Sequence, residues 1–181
     1  FNAVDKLFEK YPELIGKFTF IQAGVLSRIH IQKYKDLNDD INAVVEQVNW
    51  KYSNDSWQPI VMVRHHFTPK ELIALYKMAD VCVVSSLHDG MNLVAKEYVA
   101  AADAGKGILI LSRFTGAARE LTDAVLINPY APDSFAEAIK AALEMLPEER
   151  EKRMQKMKET VAENNIYKWA GKIIQALLRL S

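Results

Sequence analysis

Short apolar runs that alternate with longer stretches of helical periodicity are the feature that most constrains the fold of this chain. Strands are predicted at 17–22, 60–63, 81–84, 107–111 and 125–127. The run at 81–84 is too short for a helix and is typical of a strand buried on both faces. Strands that alternate with helices imply parallel pairing through right-handed crossovers. The predicted fold class is therefore α/β, a Rossmann-like parallel sheet with helices on both faces.

The stretches around these strands carry apolar residues at three- and four-residue steps, which predicts helices. Thr68 is a capping residue, Pro69 stands at the first helical position and Glu71 at the third, so a helix is predicted to begin there. The last predicted helix, 166–180, places an apolar stripe along one side. The other predicted helices span 2–10, 31–52, 92–102, 117–121, 132–145 and 147–163.

The composition favours a single hydrophobic core and a surface without a strong electrostatic field. The 181 residues are 50% hydrophobic, enough for a single domain over 1–181. The 23 basic and 23 acidic side chains balance, so neither nucleic acid nor a membrane surface is expected as a partner. No run approaches the roughly 20 apolar residues of a membrane span. The lone cysteine, Cys82, predicts a small core residue and fits a reducing compartment such as the cytoplasm.

The turn after the predicted strand 81–84 is the strongest candidate for a site. In an open parallel sheet, ligands bind beyond the carboxyl ends of the strands. Here the polar segment 85–92 includes Gly90, which lets a ligand approach the backbone closely, and it leads directly into a helix. The amides of a helix start are unpaired and lie at the positive end of the helix dipole. The segment therefore suits a diphosphate.

Two carboxylates flank this helix start: Asp89 lies just before it and Glu97 lies about one and a half turns inside it. Carboxylates accept hydrogen bonds from sugar hydroxyls, whereas phosphates repel them, so a sugar nucleotide fits better than a bare polyphosphate. The alternative is an ordinary strand-to-helix turn with a solvated aspartate and an exposed glutamate. Spacing by itself leaves both interpretations open.

The run DGMNLVAKEYVAA, residues 89–101, resembles the donor-binding signature of the trehalose-6-phosphate synthase family. These are retaining glycosyltransferases of the GT-B type, family GT20, that use a nucleoside diphosphate glucose. Segment 22–28 with Tyr34 and segment 111–130 are also similar to the family, so the resemblance covers nearly the whole chain. It implies that the chain is the nucleotide-sugar-binding C-terminal half of a GT-B enzyme.

The resemblance implies a donor site around the turn. Asp89 would hydrogen-bond the transferred glucose and is the one residue implied in catalysis, and Glu97 would bind the ribose hydroxyls. Leu93 and Val94 would bind the diphosphate through their backbone amides. The residues implied to line the hexose and the diphosphate are Gly90, Met91, Asn92, Leu93 and Val94.

The resemblance also implies contacts to the base and to the acceptor. Phe67 and Leu72 would flank the uracil or other base, and Arg28 would bind the phosphate of glucose 6-phosphate. Arginine suits that role because its planar fork matches a phosphate bidentately. UDP-glucose is the implied donor. The departing phosphate would take the acceptor proton, so neither a protein nucleophile, a metal nor a cofactor is implied.

The family's donor diphosphate is also held by an arginine and a lysine upstream of the first helix, and its acceptor pocket lies largely in an N-terminal domain. Neither is found in this sequence, which begins as if within a helix. We therefore expect a fragment that lacks the acceptor domain, binds nucleotide weakly by itself and transfers no glucose. The last helix is expected to cross toward that domain.

Two other functions stay open at the level of sequence. A related glucosyltransferase would use the same donor with another phosphorylated acceptor, such as a different sugar phosphate or glycerol phosphate. A non-catalytic nucleotide-sugar-binding module would keep the donor contacts alone. His65 and His66 do not predict a metal site, because neighbouring strand side chains point to opposite faces.

Overall fold

The computed structural model describes residues 1–25 and 31–179, so the role predicted for Arg28 lies outside the described residues. The chain divides into two compact units. One comprises 1–72 with 131–137, and the other comprises 73–130 with 138–181. The single domain expected over 1–181 stays a prediction.

The first unit contains a parallel pair of strands, each preceded by a helix. Its elements are α1 (Asn2–Lys10), β1 (Phe20–Ala23), α2 (Gln32–Tyr52) and β2 (Ile60–Val63). The strands pair in register from Phe20 with Ile60. Strand β1 begins later than predicted because its partner begins at residue 60, and the ladder opens with the Phe20 amide donating to the Pro59 carbonyl at 2.7 Å. The first residue of a strand is set by where a pairing partner begins, and not only by where its own apolar run begins.

The core of the first unit joins α1, α2 and β2. It consists of Val4, Phe8, Val45, Val48 and Ile60. The Asn49 amide side chain ties α2 to β2, because its Nδ2 donates to the Ile60 carbonyl at 2.9 Å and its Oδ1 accepts from the Ile60 amide at 3.0 Å. Both backbone groups at the start of β2 are thereby satisfied.

The second unit contains three parallel strands in the order β3, β4, β5. These are β3 (Val81–Val84), β4 (Ile108–Ser112) and β5 (Val125–Ile127). Every residue of β4 is buried, as its central position requires. The burial predicted for both faces of β3 is wrong, since only Val84 is buried and the rest are half-buried. In the described sheet β3 is an edge strand, which explains its greater exposure.

The remaining helices are α3 (Pro69–Met78), α4 (Leu93–Ala101), α5 (Pro132–Leu143), α6 (Pro147–Glu163) and α7 (Ile166–Leu178). The capping box predicted at the start of α3 is present. The Thr68 amide and hydroxyl both donate to a Glu71 carboxylate oxygen, at 2.7 Å and 2.8 Å. The helix predicted at 117–121 is instead a short 3-10 turn at Gly116–Arg119.

Helix α6 packs on α4 and β4. Its Met154 and Met157 are fully buried, in agreement with their helical spacing. The apolar stripe of α7, by contrast, is exposed, with Leu177 at 61%. No described helix combines the length and apolar character needed to span a membrane. Parallel strands alternating with helices confirm the predicted α/β class.

Candidate functional site

The loop after β3 is held by the loop after β4. The Asp89 amide donates to the Phe114 carbonyl at 3.2 Å, and the Asp89 carbonyl accepts from the Gly116 amide at 3.0 Å. The Ala117 amide then donates to the Met91 carbonyl at 2.8 Å. The carboxyl ends of neighbouring parallel strands lie at one edge of the sheet, which brings these loops together.

Gly116 permits this close approach. A Cβ placed on Gly116 would lie 2.1 Å from the Gly90 carbonyl oxygen and 2.9 Å from the carbonyl carbon. Any larger residue would therefore push the two loops apart. A Cβ on Gly90 would meet nothing within 4 Å. The space beside Gly90 is therefore open, as the close approach of a ligand to the backbone requires.

Asn92 begins α4 in a left-handed conformation, with φ at 73°. This conformation is costly for a residue other than glycine. The side chain makes three hydrogen bonds: Oδ1 accepts from the Ala95 amide at 2.9 Å, and Nδ2 donates to Asp89 Oδ2 at 3.0 Å and to Ser86 Oγ at 3.2 Å. Strain held in this way by its surroundings is characteristic of functional loops.

The Asp89 carboxylate is fixed from two directions. Its Oδ1 accepts from the Met91 amide at 3.1 Å, while Oδ2 accepts from Asn92. A carboxylate has about four acceptor positions, so two bonds leave room for hydroxyl donors from a ligand. Asp89 is half-buried. The arrangement is therefore a pre-oriented acceptor beside a helix start.

The first amides of α4 are available to an anion. Within the described residues, neither the Leu93 nor the Val94 amide makes a hydrogen bond. Their side chains are 60% and 47% exposed, so solvent reaches this end of the helix. The unpaired amides and the positive end of the helix dipole together favour a phosphate.

Glu97 lies farther along α4 with an exposed side chain. The Tyr76 hydroxyl of α3 donates to Glu97 Oε2 at 3.3 Å. Lys96 forms an ion pair with Glu120 instead, with Nζ 2.9 Å from Glu120 Oε2. The carboxylate of Glu97 is therefore not neutralised by its neighbouring lysine.

Phe67 and Leu72 belong to the first unit, and both are half-buried. The Phe67 ring lies edge-on to His65, with centroids 5.2 Å apart. Their predicted contacts with a nucleotide base stay predictions. Among the described residues, no group of three or more histidine, cysteine, aspartate or glutamate side chains is arranged to hold a metal ion.

Comparison with known proteins identifies the family. The model of Glycosyltransferase family 20 matches residues 1–179. The chain belongs to glycosyltransferase family 20. This confirms the family expected from segment 89–101 and its flanks.

The family 20 relatives that match are longer than this chain. It is 41% identical to the trehalose-6-phosphate synthase of Enterobacter sp. (strain 638) over 180 residues, which is 99% of this chain and 38% of that protein. It is 38% identical to the alpha,alpha-trehalose-phosphate synthase (UDP-forming) A of Dictyostelium discoideum, covering 99% of this chain and 25% of that one. The chain thus spans well under half of these relatives.

Solved family 20 structures share the fold. An E. coli structure bound with UDP-2-fluoro glucose matches with a TM-score of 0.92 and 40% identity, over 97% of this chain and 39% of that one. A Burkholderia xenovorans alpha,alpha-trehalose-phosphate synthase (UDP-forming), in complex with glucose-6-phosphate, matches with a TM-score of 0.92 and 36% identity, over 98% and 40%. The fold predicted from the family resemblance is therefore confirmed.

Family resemblance and spacing point to the loop 85–92 but not to its supports. Single motifs do not indicate that Ser86 contacts Asn92, that Tyr76 contacts Glu97 or that backbone bonds from 114–117 hold Asp89. The strand order offers one signal for the supporting loop, because the loops that follow neighbouring parallel strands lie together at the carboxyl edge of the sheet. The family 20 segment 111–130 contains the supporting loop, and its glycine at 116 is the residue that allows contact.

Proposed function

We propose that this chain forms the donor-binding part of a retaining α,α-trehalose-phosphate synthase that transfers glucose from UDP-glucose to glucose 6-phosphate. The observation that carries the proposal is the fixed Asp89 carboxylate beside the unpaired Leu93 and Val94 amides. The names of the family 20 relatives support the same reaction. Because the chain spans 38% of the Enterobacter relative, the reaction is proposed for an enzyme of the relatives' length that contains these residues.

The donor would lie across the start of α4. Its diphosphate would accept hydrogen bonds from the Leu93 and Val94 amides, and its glucose would donate to Asp89. Glu97 would accept hydrogen bonds from the ribose. This order places phosphate at the positive helix end and hydroxyls at the carboxylates, which is the electrostatically favourable arrangement.

The reaction would proceed by attack of the acceptor hydroxyl on the face of glucose that the nucleotide leaves. The bond from C1 to the diphosphate oxygen breaks, the bond from C1 to the acceptor oxygen forms, and the acceptor proton passes to the departing phosphate. The protein contributes orientation and stabilisation of charge on the leaving diphosphate. Helix-start amides that are already oriented need no reorganisation as that charge develops.

Glucose 6-phosphate is the proposed acceptor, with its phosphate bound by Arg28. A B. xenovorans structure in complex with glucose-6-phosphate supports a phosphorylated acceptor. The cytoplasmic location stays a prediction.

The test is nucleotide titration of the full-length enzyme with UDP, GDP, ADP and their glucose conjugates. We expect Glu97→Ala to weaken UDP binding by about tenfold through loss of hydrogen bonds to a charged group. Asp89→Ala should leave UDP binding close to wild type while weakening UDP-glucose binding and abolishing most of the turnover. Glu151→Ala, an exposed glutamate on α6, is the matched control.

Unchanged UDP affinity in Glu97→Ala would show that the ribose assignment is wrong. An enzyme that binds UDP-glucose but transfers glucose only to a different phosphorylated acceptor would overturn the acceptor assignment. Binding without transfer to any sugar phosphate would indicate a nucleotide-sugar-binding module.

A further inference from the structure

Tyr76 has no role among the residues of the proposed donor site, yet it contacts one of them. Its hydroxyl donates to Glu97 Oε2 at 3.3 Å. Within the described part of the chain, this is the one hydrogen bond made by the Glu97 side chain. An exposed glutamate without a partner would sample many rotamers, and ordering it upon binding would cost entropy.

The ring of Tyr76 is itself held in place. It lies edge-on to Tyr98, with centroids 5.9 Å apart and an interplanar angle of 77°. Tyr98 is fully buried, and its hydroxyl donates to the Ile108 carbonyl at 3.4 Å. The Tyr76 ring therefore packs against a buried side chain of the second unit.

Tyr76 keeps the proton that this contact needs. Burial, followed by the negative charge of Glu97, raises the pKa of Tyr76 to about 12. The phenol is therefore a donor throughout the physiological pH range. A donor to Oε2 leaves Oε1 and the remaining lone pair of Oε2 as acceptors for a ligand.

We propose that Tyr76 is a positioning residue that holds the Glu97 carboxylate in the orientation in which it accepts hydrogen bonds from the ribose hydroxyls of the donor. The inference rests on the proposed function, because it needs Glu97 at the ribose. It predicts that loss of the Tyr76 hydroxyl weakens the binding only of nucleotides that carry those ribose hydroxyls.

The test compares Tyr76→Phe with wild type in the full-length enzyme, using UDP and 2′,3′-dideoxy-UDP as probes. We expect Tyr76→Phe to weaken UDP binding by about fivefold, the effect of one net hydrogen bond. Binding of 2′,3′-dideoxy-UDP should equal that of wild type. The KM for UDP-glucose should rise in proportion, while kcat at saturating donor stays unchanged. The phenyl ring that packs on Tyr98 is kept, and thermal unfolding checks the fold.

Tyr52→Phe is the matched control, because it removes a tyrosine-carboxylate hydrogen bond of 2.9 Å to Asp5 on the other unit. It should bind both nucleotides as wild type does. The double variant Tyr76→Phe/Glu97→Ala should bind UDP no more weakly than Glu97→Ala alone, since Tyr76 acts through the Glu97 carboxylate.

The two hypotheses fail in different ways. If Glu97→Ala weakens the binding of UDP and of 2′,3′-dideoxy-UDP equally or not at all, the ribose contact of the proposed function is wrong. If Glu97→Ala selectively weakens UDP binding but Tyr76→Phe binds as wild type, only the positioning role is wrong. Equal weakening of both nucleotides in Tyr76→Phe would also overturn the positioning role, because it would indicate a general distortion.

Discussion

Asn92 is the residue on which the local geometry of the site depends most. It caps α4 through the Ala95 amide, fixes Asp89 through Nδ2 and adopts a left-handed backbone conformation. Asparagine tolerates that conformation better than most residues because its short polar side chain forms local hydrogen bonds. One side chain thus couples the helix start to the proposed glucose-binding carboxylate.

We predict that Asn92→Ala lowers the free energy of unfolding by about 2 kcal/mol, since alanine loses the cap and lacks the local hydrogen bonds that offset the strain of positive φ. Asn92→Gly should cost only a few tenths of a kcal/mol, because glycine adopts this conformation freely. Urea unfolding measures both. Equal destabilisation by the two substitutions would contradict the argument from backbone strain. Both variants should raise the KM for UDP-glucose, because each removes the Asn92 hydrogen bond to Asp89 Oδ2.

At the scale of elements, the site depends on two loops rather than on one. The loop before α4 carries the proposed ligand contacts, while the loop after β4 supplies the backbone bonds that shape it. Contact between them requires a glycine at 116. The short 3-10 turn at Gly116–Arg119 follows from the same constraint, since the chain there bonds to the neighbouring loop at Asp89 and Met91.

Gly116→Ala should weaken UDP-glucose binding by about tenfold or more, because overpacking of this kind typically costs about 1–3 kcal/mol and here displaces the donor loop. Gly105→Ala is the control, as its Cβ would meet nothing within 4 Å. Calorimetric titration of both variants in the full-length enzyme compares the affinities. Wild-type affinity in Gly116→Ala would mean that the loops do not need this contact.

At the scale of the whole molecule, the length of the chain and its exposed apolar surface bear on which contacts it makes with other parts of an enzyme. The chain spans 38% of the Enterobacter relative, and the described face of α7 leaves Ile173, Ile174 and Leu177 exposed. A large exposed apolar stripe on a helix is characteristic of an interaction surface. The expectation that α7 crosses toward an acceptor domain stays a prediction.

We expect the 181-residue polypeptide, produced by itself, to bind UDP weakly and to transfer no glucose, because the family's acceptor pocket and further diphosphate contacts are expected elsewhere in an enzyme of the relatives' length. Titration monitored by NMR measures the first property, and chromatographic detection of trehalose 6-phosphate measures the second. Trehalose 6-phosphate formed by the purified polypeptide would overturn this expectation.

Element type and order follow from the sequence by itself, because apolar periodicity and capping are local. Helix α1, strand β2 and helix α6 have the bounds that their patterns predict. The family also follows from the sequence, through a long signature at 89–101, and the donor residues proposed within that signature stay a prediction. Strand β1 departs from prediction because its beginning depends on a partner some 40 residues away.

Only the tertiary structure decided how the site is supported. Tyr76 and Glu97 are 21 positions apart, and Gly116 contacts Gly90 from the next strand's loop. No local pattern specifies such contacts, because they depend on where each crossover returns the chain and on which side chains then meet. The sequence determined which residues are available for chemistry, and the packing of distant elements determined which of them are held in place.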